Sequence, residues 1–146
     1  MDPLFDICQI INNPAELGLF KINFMNTLLW ITQALLAIVF LYSGICKSIY
    51  SEQQLIAKGQ TGVVGRPASL IRFIGIAEIL GAAGIILPWL MKTLPILTPV
   101  TAVCFAILMI LAAPIHYKLK EPRNVGTNLT LLLLSLFVAW GRWMDL

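Results

Sequence analysis

Residues 75–88 read GIAEILGAAGIILP, and the carboxyl of Glu78 is the one charged group between Arg72 and Lys92. A carboxylate that faces lipid costs about 2.5–3.5 kcal/mol on an insertion scale, so Glu78 should face protein or water. Small residues three or four positions away share its helical face and would let a second helix approach closely: Gly75, Gly81 and Ala82. The stretch therefore predicts a membrane-spanning helix that directs a carboxyl into a helical bundle.

The rest of the chain also consists of long apolar blocks. Of its 146 residues 59% are hydrophobic and 12% are charged, which is far from the average of soluble domains. Charge is absent from residues 22–46, 93–115 and 124–141. Each such block approaches the ~20 residues that a helix needs to cross a bilayer. The sequence predicts an all-α membrane protein, a bundle of four transmembrane helices, with spans at about residues 26–48, 68–90, 94–116 and 126–144.

The first 24 residues differ from the rest. Their start, MDPLFD, is acidic where a signal peptide would be basic, and no small-residue cleavage site follows. Asn13-Pro14 has the pattern of a helix start, with Asn as the N-cap and Pro at the first helical position. We predict that residues 1–24 are an extension, either an interfacial helix or a lead into span one. Residues 25–146 form the membrane domain.

Basic residues are concentrated in the segments after spans one and three, which predicts that these segments are cytoplasmic and that both termini are extracytoplasmic. Those segments contain Lys47, Lys58, Arg66, Lys118, Lys120 and Arg123. All four tryptophans fall at the predicted outer ends of spans, as in an aromatic belt. The net charge of +3 is thus a topology signal and does not indicate nucleic-acid binding. The expected partner is the lipid bilayer, and the expected location is the cell membrane.

Several motifs occur in an order that resembles the DoxX-like family of small four-helix bacterial membrane proteins. They are MN-x-x-LW-x-x-Q-x-LLA from Met25 to Ala37, SG-x-x-K from Ser43 to Lys47, GVVGRP from Gly62 to Pro67, RFIGIAEILGAAGIILPWL from Arg72 to Leu90, and VAWGRW from Val138 to Trp143. The similarity covers about residues 25–143. Such relatives include a small membrane subunit of thiosulfate:quinone oxidoreductase and components of other membrane-bound oxidoreductases. Distant relatives bind hydrophobic ligands or assist membrane-protein assembly.

Alternating topology brings polar residues to one end of the bundle, with Glu78 about 15 Å below that end. We predict a half-buried pocket lined by Gln33, Tyr42, Ser43, Glu78 and Ser135, with Lys47 and His116 at its mouth. Arg72 starts span two but lies about 120° around the helix from Glu78. Helix packing is assigned to Gly44, Gly75, Gly81, Ala82 and Gly84.

Each polar side chain in this pocket also has a structural interpretation. Lys47 could anchor a helix end by snorkelling, and His116 could be an interfacial residue. Desolvation should keep Glu78 neutral unless Lys47 or His116 lies within a few ångströms. A neutral Glu78 could serve only as a hydrogen bond that locks the bundle.

Chemistry by this chain alone is not expected. The three cysteines are solitary, which argues against a four-helix thiol oxidase, and no metal, haem, iron–sulfur or nucleotide motif occurs. No catalytic residue is assigned, and an enzymatic role would require a partner such as a soluble oxidoreductase. Homo-oligomers are a further expectation.

Three functional classes therefore remain open. The first, favoured by the resemblance, is an accessory subunit of a quinone-linked redox complex, with a quinone head group in the pocket. The second is a proton-coupled carrier like the small multidrug resistance proteins, although their glutamate lies in span one. The third is a non-catalytic assembly or interaction protein.

Overall fold

The computed structural model describes residues 14–146, and the regular structure in this range is helical. The elements are α1, Pro14–Ile49; α2, Glu52–Ala57; a 3-10 turn, Thr61–Val63; α3, Ala68–Leu90; α4, Leu97–Lys118; and α5, Pro122–Met144. Four of these helices are long and apolar enough to cross a membrane. The fold class predicted from the sequence, an all-α bundle of four membrane-spanning helices, is confirmed.

The helix ends differ from the predicted spans where proline permits an earlier start. Helix α5 begins at Pro122 and not near residue 126, because proline fits the first turn of a helix, where the missing N–H would have no partner. Helix α3 has the predicted bounds of residues 68–90, whereas α4 is shifted to Leu97–Lys118.

Helix α1 also begins earlier than the predicted first span. It runs without a break from Pro14 to Ile49, so residues 14–24 form its N-terminal turns and not a separate helix. Asn26 accepts a hydrogen bond from Arg142 near the end of α5, and the turns before Asn26 therefore extend about 18 Å beyond the bundle. The predicted Asn13 cap and the rest of residues 1–13 lie outside the described residues.

The four long helices form a ring in which α1 packs most extensively against α3, and α4 against α5. Contacts between α3 and α4 and between α1 and α5 close the ring. Neighbours are antiparallel: Gly44 of α1 is level with Gly75 of α3, whereas Gln33 is level with Ile85. We call the end that carries α2 the loop end, and the end that carries Leu146 the terminus end.

The centre of the ring is apolar. Phe40 of α1 stacks on Phe105 of α4 with ring centroids 3.7 Å apart, and this pair joins opposite helices across the bundle. The surrounding buried side chains are Leu36, Ile85, Ala102, Met109, Val138 and Ala139. The outer faces carry large exposed apolar side chains such as Ile38, Phe73 and Leu133, as a lipid-facing surface requires.

The segment between α1 and α3 folds over the loop end. Ser51 caps α2, and its hydroxyl and backbone N–H form a capping box with Gln54, which is the arrangement typical of an S-x-x-Q sequence. Leu55 and Val63 are buried in a second apolar cluster with Cys46 and Ile71 from the long helices. This cluster holds α2 and the 3-10 turn against the bundle.

Candidate functional site

The site begins with a close crossing of α1 and α3. A Cβ added to Gly44 would lie 2.6 Å from the carbonyl oxygen of Gly75, and one added to Gly75 would lie 2.8 Å from the carbonyl oxygen of Gly44. Glycine is thus needed at both positions, because any side chain would force the two backbones apart. The close approach places the next polar residues of both helices within hydrogen-bonding range.

Three residues beyond each glycine, the two helices form an ion pair. Lys47 Nζ lies 2.6 Å from Glu78 Oε1 and donates a second hydrogen bond to Ser43 Oγ at 2.9 Å. The Glu78 side chain is 4% exposed and that of Lys47 is 17% exposed. Lys47 therefore lies within a few ångströms of the Glu78 carboxyl. A buried pair of this kind repays desolvation only when its geometry is good.

Two further glycines of α3 face α4. A Cβ on Gly81 would lie 2.5 Å from a ring carbon of Phe105, and one on Gly84 would lie 2.8 Å from Thr101 Oγ1. Ala82 is buried at 6% exposure. These contacts pack α3 and α4 closely, so Glu78 lies between two tight helix interfaces.

A cavity of about 580 Å³ lies between the ion pair and the loop end. Its walls are mostly aliphatic, from α1, α3, α4 and α5, and its roof comes from the loop between α2 and α3. The polar and charged lining residues are Tyr42, Ser43, Lys47, Gln60, Arg66, Glu78, His116, Asn124, Thr127 and Asn128. Its volume and its apolar walls with a few polar groups are typical of small-molecule sites.

Three of the lining residues carry a buried polar atom without a hydrogen-bond partner. These atoms are Glu78 Oε2, Gln60 Oε1 and Asn128 Nδ2. An unpartnered buried polar atom costs about 1–3 kcal/mol, so such atoms are rare unless a ligand or water completes them. All three of these residues line the same cavity.

A polar cluster at the loop end, the mouth cluster, is made of Thr61, His116, Glu121 and Asn124, and two of its members, His116 and Asn124, line the cavity. Glu121 Oε2 accepts hydrogen bonds from the Thr61 hydroxyl at 2.5 Å and from Asn124 Nδ2 at 2.9 Å. His116 Nδ1 lies 2.8 Å from the same oxygen. A Cβ at Gly62 would lie 3.1 Å from His116 Nε2, so the 3-10 turn packs against the imidazole. The cluster therefore ties the cavity roof to the turn between α4 and α5.

The pKa of Glu121 is lowered to about 2. The largest cause is the hydrogen bond from Thr61, and the contacts with His116 and Asn124 come next. A carboxyl whose pKa is depressed by folding contributes stability above its ordinary pKa of about 4.5, and this contribution is lost as the pH falls through about 2. We therefore expect residues 59–66 to be ordered at pH 5 and to loosen as the pH falls from about 4.5 to about 2. Amide hydrogen exchange, corrected for intrinsic rates, measures this.

Glu121→Gln keeps the shape of the side chain but removes the charge. The variant should exchange faster in residues 59–66 at pH 5 and should show little further change at lower pH. Wild-type protection in this variant would mean that the carboxylate does not hold the roof.

The structure places Gln33, Ser135 and Arg72 away from the cavity. Gln33 is fully buried but level with Ile85, about 10 Å further along α3 than Glu78. Ser135 is buried on α5 with its hydroxyl unpartnered, and Arg72 is exposed on the outer face of α3. Tyr42, Ser43, Lys47, Glu78 and His116 do line the cavity.

Gln33 belongs to a second polar site at the terminus end, the arginine cluster. Its amide donates to the carbonyl of Ile85 at 2.6 Å and accepts from Arg142 Nε at 2.7 Å. Arg142 is fully buried, and its guanidinium carbon lies 4.4 Å from the Trp89 ring centroid and 5.2 Å from that of Trp30. This cluster ties α1, α3 and α5 together.

The sequence pattern does not single out Gln60, Asn128, Glu121 or Arg142 as site residues. Asn128 is an amide inside an uncharged block, and this is the one local sign of its role. Gln60 and Glu121 lie in connecting segments, where polar residues are ordinary, and only the fold brings them to the cavity. Within residues 14–146 no group of three or more His, Cys, Asp or Glu side chains could hold a metal ion.

Fold and site together define a multi-pass membrane protein of four helices with an amphipathic cavity at one end of the bundle. The model of the DoxX-like family matches residues 31–138, which is most of the chain. The protein belongs to the DoxX-like family, as the sequence motifs predicted. Searches of curated proteins and of solved structures find no match.

Proposed function

We propose that this DoxX-like protein is an accessory subunit of a membrane redox complex and that its cavity holds the head group of a quinone. One observation carries the proposal: three of the residues that line an apolar cavity in the membrane-spanning bundle carry a buried polar atom without a partner. A quinone head group has the matching chemistry, an apolar ring with two polar oxygens. Its isoprenoid tail would suit the aliphatic walls and the lipid around the bundle.

The lining residues fit a ring of this type. Asn128 Nδ2 is an unpartnered donor that can bind a ring oxygen. Further donors come from Tyr42 and from Lys47. Two of the three N–H groups of Lys47 donate to Ser43 and Glu78, which leaves one for the ring. Ala112 and Leu131 supply apolar surface for the ring faces. These residues bind and orient the ring and exclude water, whereas the quinone supplies the redox chemistry.

Oxidation and reduction require a second protein. Electron transfer needs a redox group, and the sequence has no ligand motif for one. A soluble oxidoreductase docked at the loop end would deliver or receive electrons next to the cavity. A homo-oligomer could provide the platform for that docking.

The test is quinone binding to the purified full-length protein in nanodiscs, with a decyl-chain ubiquinone as the probe. Asn128→Leu should weaken binding about tenfold, because one hydrogen bond to the ring oxygen is lost. Ser135→Ala, on the same helix but outside the cavity, is the matched control and should leave the affinity unchanged. Failure of the wild-type protein to bind the probe would refute the proposal.

A second candidate function is proton-coupled transport of a small molecule. Glu78 Oε2 supports it, since this oxygen belongs to a buried membrane carboxylate beside the cavity. The measurement is solute uptake by proteoliposomes under an imposed pH gradient. Uptake in wild type that is lost in Glu78→Gln would favour the carrier. Absence of both quinone binding and transport would favour the third class, an assembly or interaction protein.

We propose a location in the cell membrane, with both termini extracytoplasmic and the loop end cytoplasmic. The support is the excess of lysine and arginine in the loop-end segments. A periplasmic phosphatase fused after Leu146 should be active, and one fused at Lys120 should be inactive. The reverse pattern would overturn the orientation and would move the proposed docking face to the other side of the membrane.

A further inference from the structure

We infer that the cavity prefers the reduced, dihydroxy form of a quinone to the oxidised form, an inference that rests on the proposed quinone site. It follows from the kind of polar atoms that the cavity leaves unpartnered. Of the three, Glu78 Oε2 and Gln60 Oε1 can only accept hydrogen bonds, and Asn128 Nδ2 can only donate. The best ligand must therefore donate as well as accept.

In the ion pair with Lys47, Glu78 acts as a hydrogen-bond acceptor. Lys47 Nζ is 2.6 Å from Oε1, and the second oxygen, Oε2, has no partner. The hydrogen bond to Ser43 orients Lys47, so the ion pair is preorganised without a ligand. The cavity then presents a fixed acceptor at its inner end and Gln60 in its roof as a second acceptor.

The two oxidation states of the ring differ in what they offer these atoms. A quinone carbonyl accepts only, so the oxidised ring would leave Glu78 Oε2 and Gln60 Oε1 buried and without partners. A quinol hydroxyl donates to one of these oxygens and still accepts from Asn128. Gaining one hydrogen bond to an otherwise unpartnered buried acceptor corresponds to roughly tenfold in affinity.

Charge at the cavity does not favour a cationic ligand. The negative charge of Glu78 is balanced by Lys47, and Arg66 also lines the cavity. Glu78 is the one carboxylate among the described lining residues, and Glu121 nearby is engaged in the mouth cluster, so an added cation would have no free counter-charge. A neutral ring with hydroxyl groups meets both the hydrogen-bonding and the charge requirement.

The experiment compares three short-chain probes on wild-type protein in nanodiscs under anaerobic conditions: a ubiquinol, the corresponding ubiquinone, and the dimethyl ether of the quinol. The ether has the same ring but no O–H group. The quinol should bind roughly tenfold more tightly than the quinone, and the ether should bind no more tightly than the quinone. Equal binding of quinol and quinone, or tighter binding of the quinone, would overturn the inference and leave the quinone site intact. Failure of all three probes to bind would overturn both.

Variants show whether the named acceptors cause the preference. Gln60→Leu should lower the ratio of quinol to quinone affinity, whereas Gln53→Leu, on the exposed surface of α2, should not change it. The double variant Lys47→Met with Glu78→Leu removes the ion pair without leaving a single buried charge and should also lower the ratio, although Gln60 remains as an acceptor. If the folded double variant keeps the wild-type ratio of quinol to quinone affinity, Glu78 does not accept a hydrogen bond from the quinol hydroxyl group.

Discussion

Lys47→Met is expected to lower the free energy of unfolding by about 3–5 kcal/mol, because it leaves the carboxylate of Glu78 buried without its partner. The Glu78 side chain is 4% exposed, so it has little contact with bulk solvent to compensate for the loss of the lysine. Ser43 would also lose the hydrogen bond that it accepts from Lys47. Unfolding of the purified protein by sodium dodecyl sulfate in mixed micelles measures the change.

The double variant Lys47→Met with Glu78→Leu tests the same ion pair by removing both charges. Replacement of both charges by apolar groups of similar size is often neutral, so the double variant should be more stable than either single variant. Lys118→Met, at an exposed lysine in the last turn of α4, is the matched control and should change stability by no more than about 0.5 kcal/mol. If the single variants cost no more than this control, the two charges are not paired in the membrane.

Gly44→Ala is expected to lower the free energy of unfolding by about 1–3 kcal/mol, through overpacking of the crossing between α1 and α3. The new methyl group would lie 2.6 Å from the carbonyl oxygen of Gly75 and 2.9 Å from a side-chain carbon of Ile79. A backbone carbonyl cannot rotate away as a side chain can, so the helices must separate. Separation would also lengthen the contact between Lys47 and Glu78.

Gly126→Ala is the control, and it is expected to raise the free energy of unfolding. A Cβ at Gly126 meets nothing within 4 Å, and the residue lies within α5. Alanine is favoured over glycine inside a helix by about 0.5–1 kcal/mol, so this variant should gain stability. Thermal unfolding of both variants in detergent provides the comparison. A Gly44→Ala variant that gains stability as Gly126→Ala does would contradict the close crossing.

The composition and local pattern of the sequence determine the class of this protein. Long uncharged blocks can be accommodated only in a bilayer, and their number and length predict four helices whatever their packing. The glutamate at position 78 must face the protein for the same reason, because lipid cannot solvate it. Local signals also determine the Ser51 capping box, since it depends on residues within a few positions of each other.

Tertiary structure decides which polar residues meet. Counting residues along separate helices gives only an approximate depth, and it placed Gln33 in the pocket with Glu78. The register of α1 on α3, set by the contact between Gly44 and Gly75, brings Lys47 to Glu78 and Gln33 to Ile85. Arg142 is joined to Gln33 although 109 positions separate them. Helical periodicity carries no information about such pairs, because their geometry depends on how closely two backbones approach.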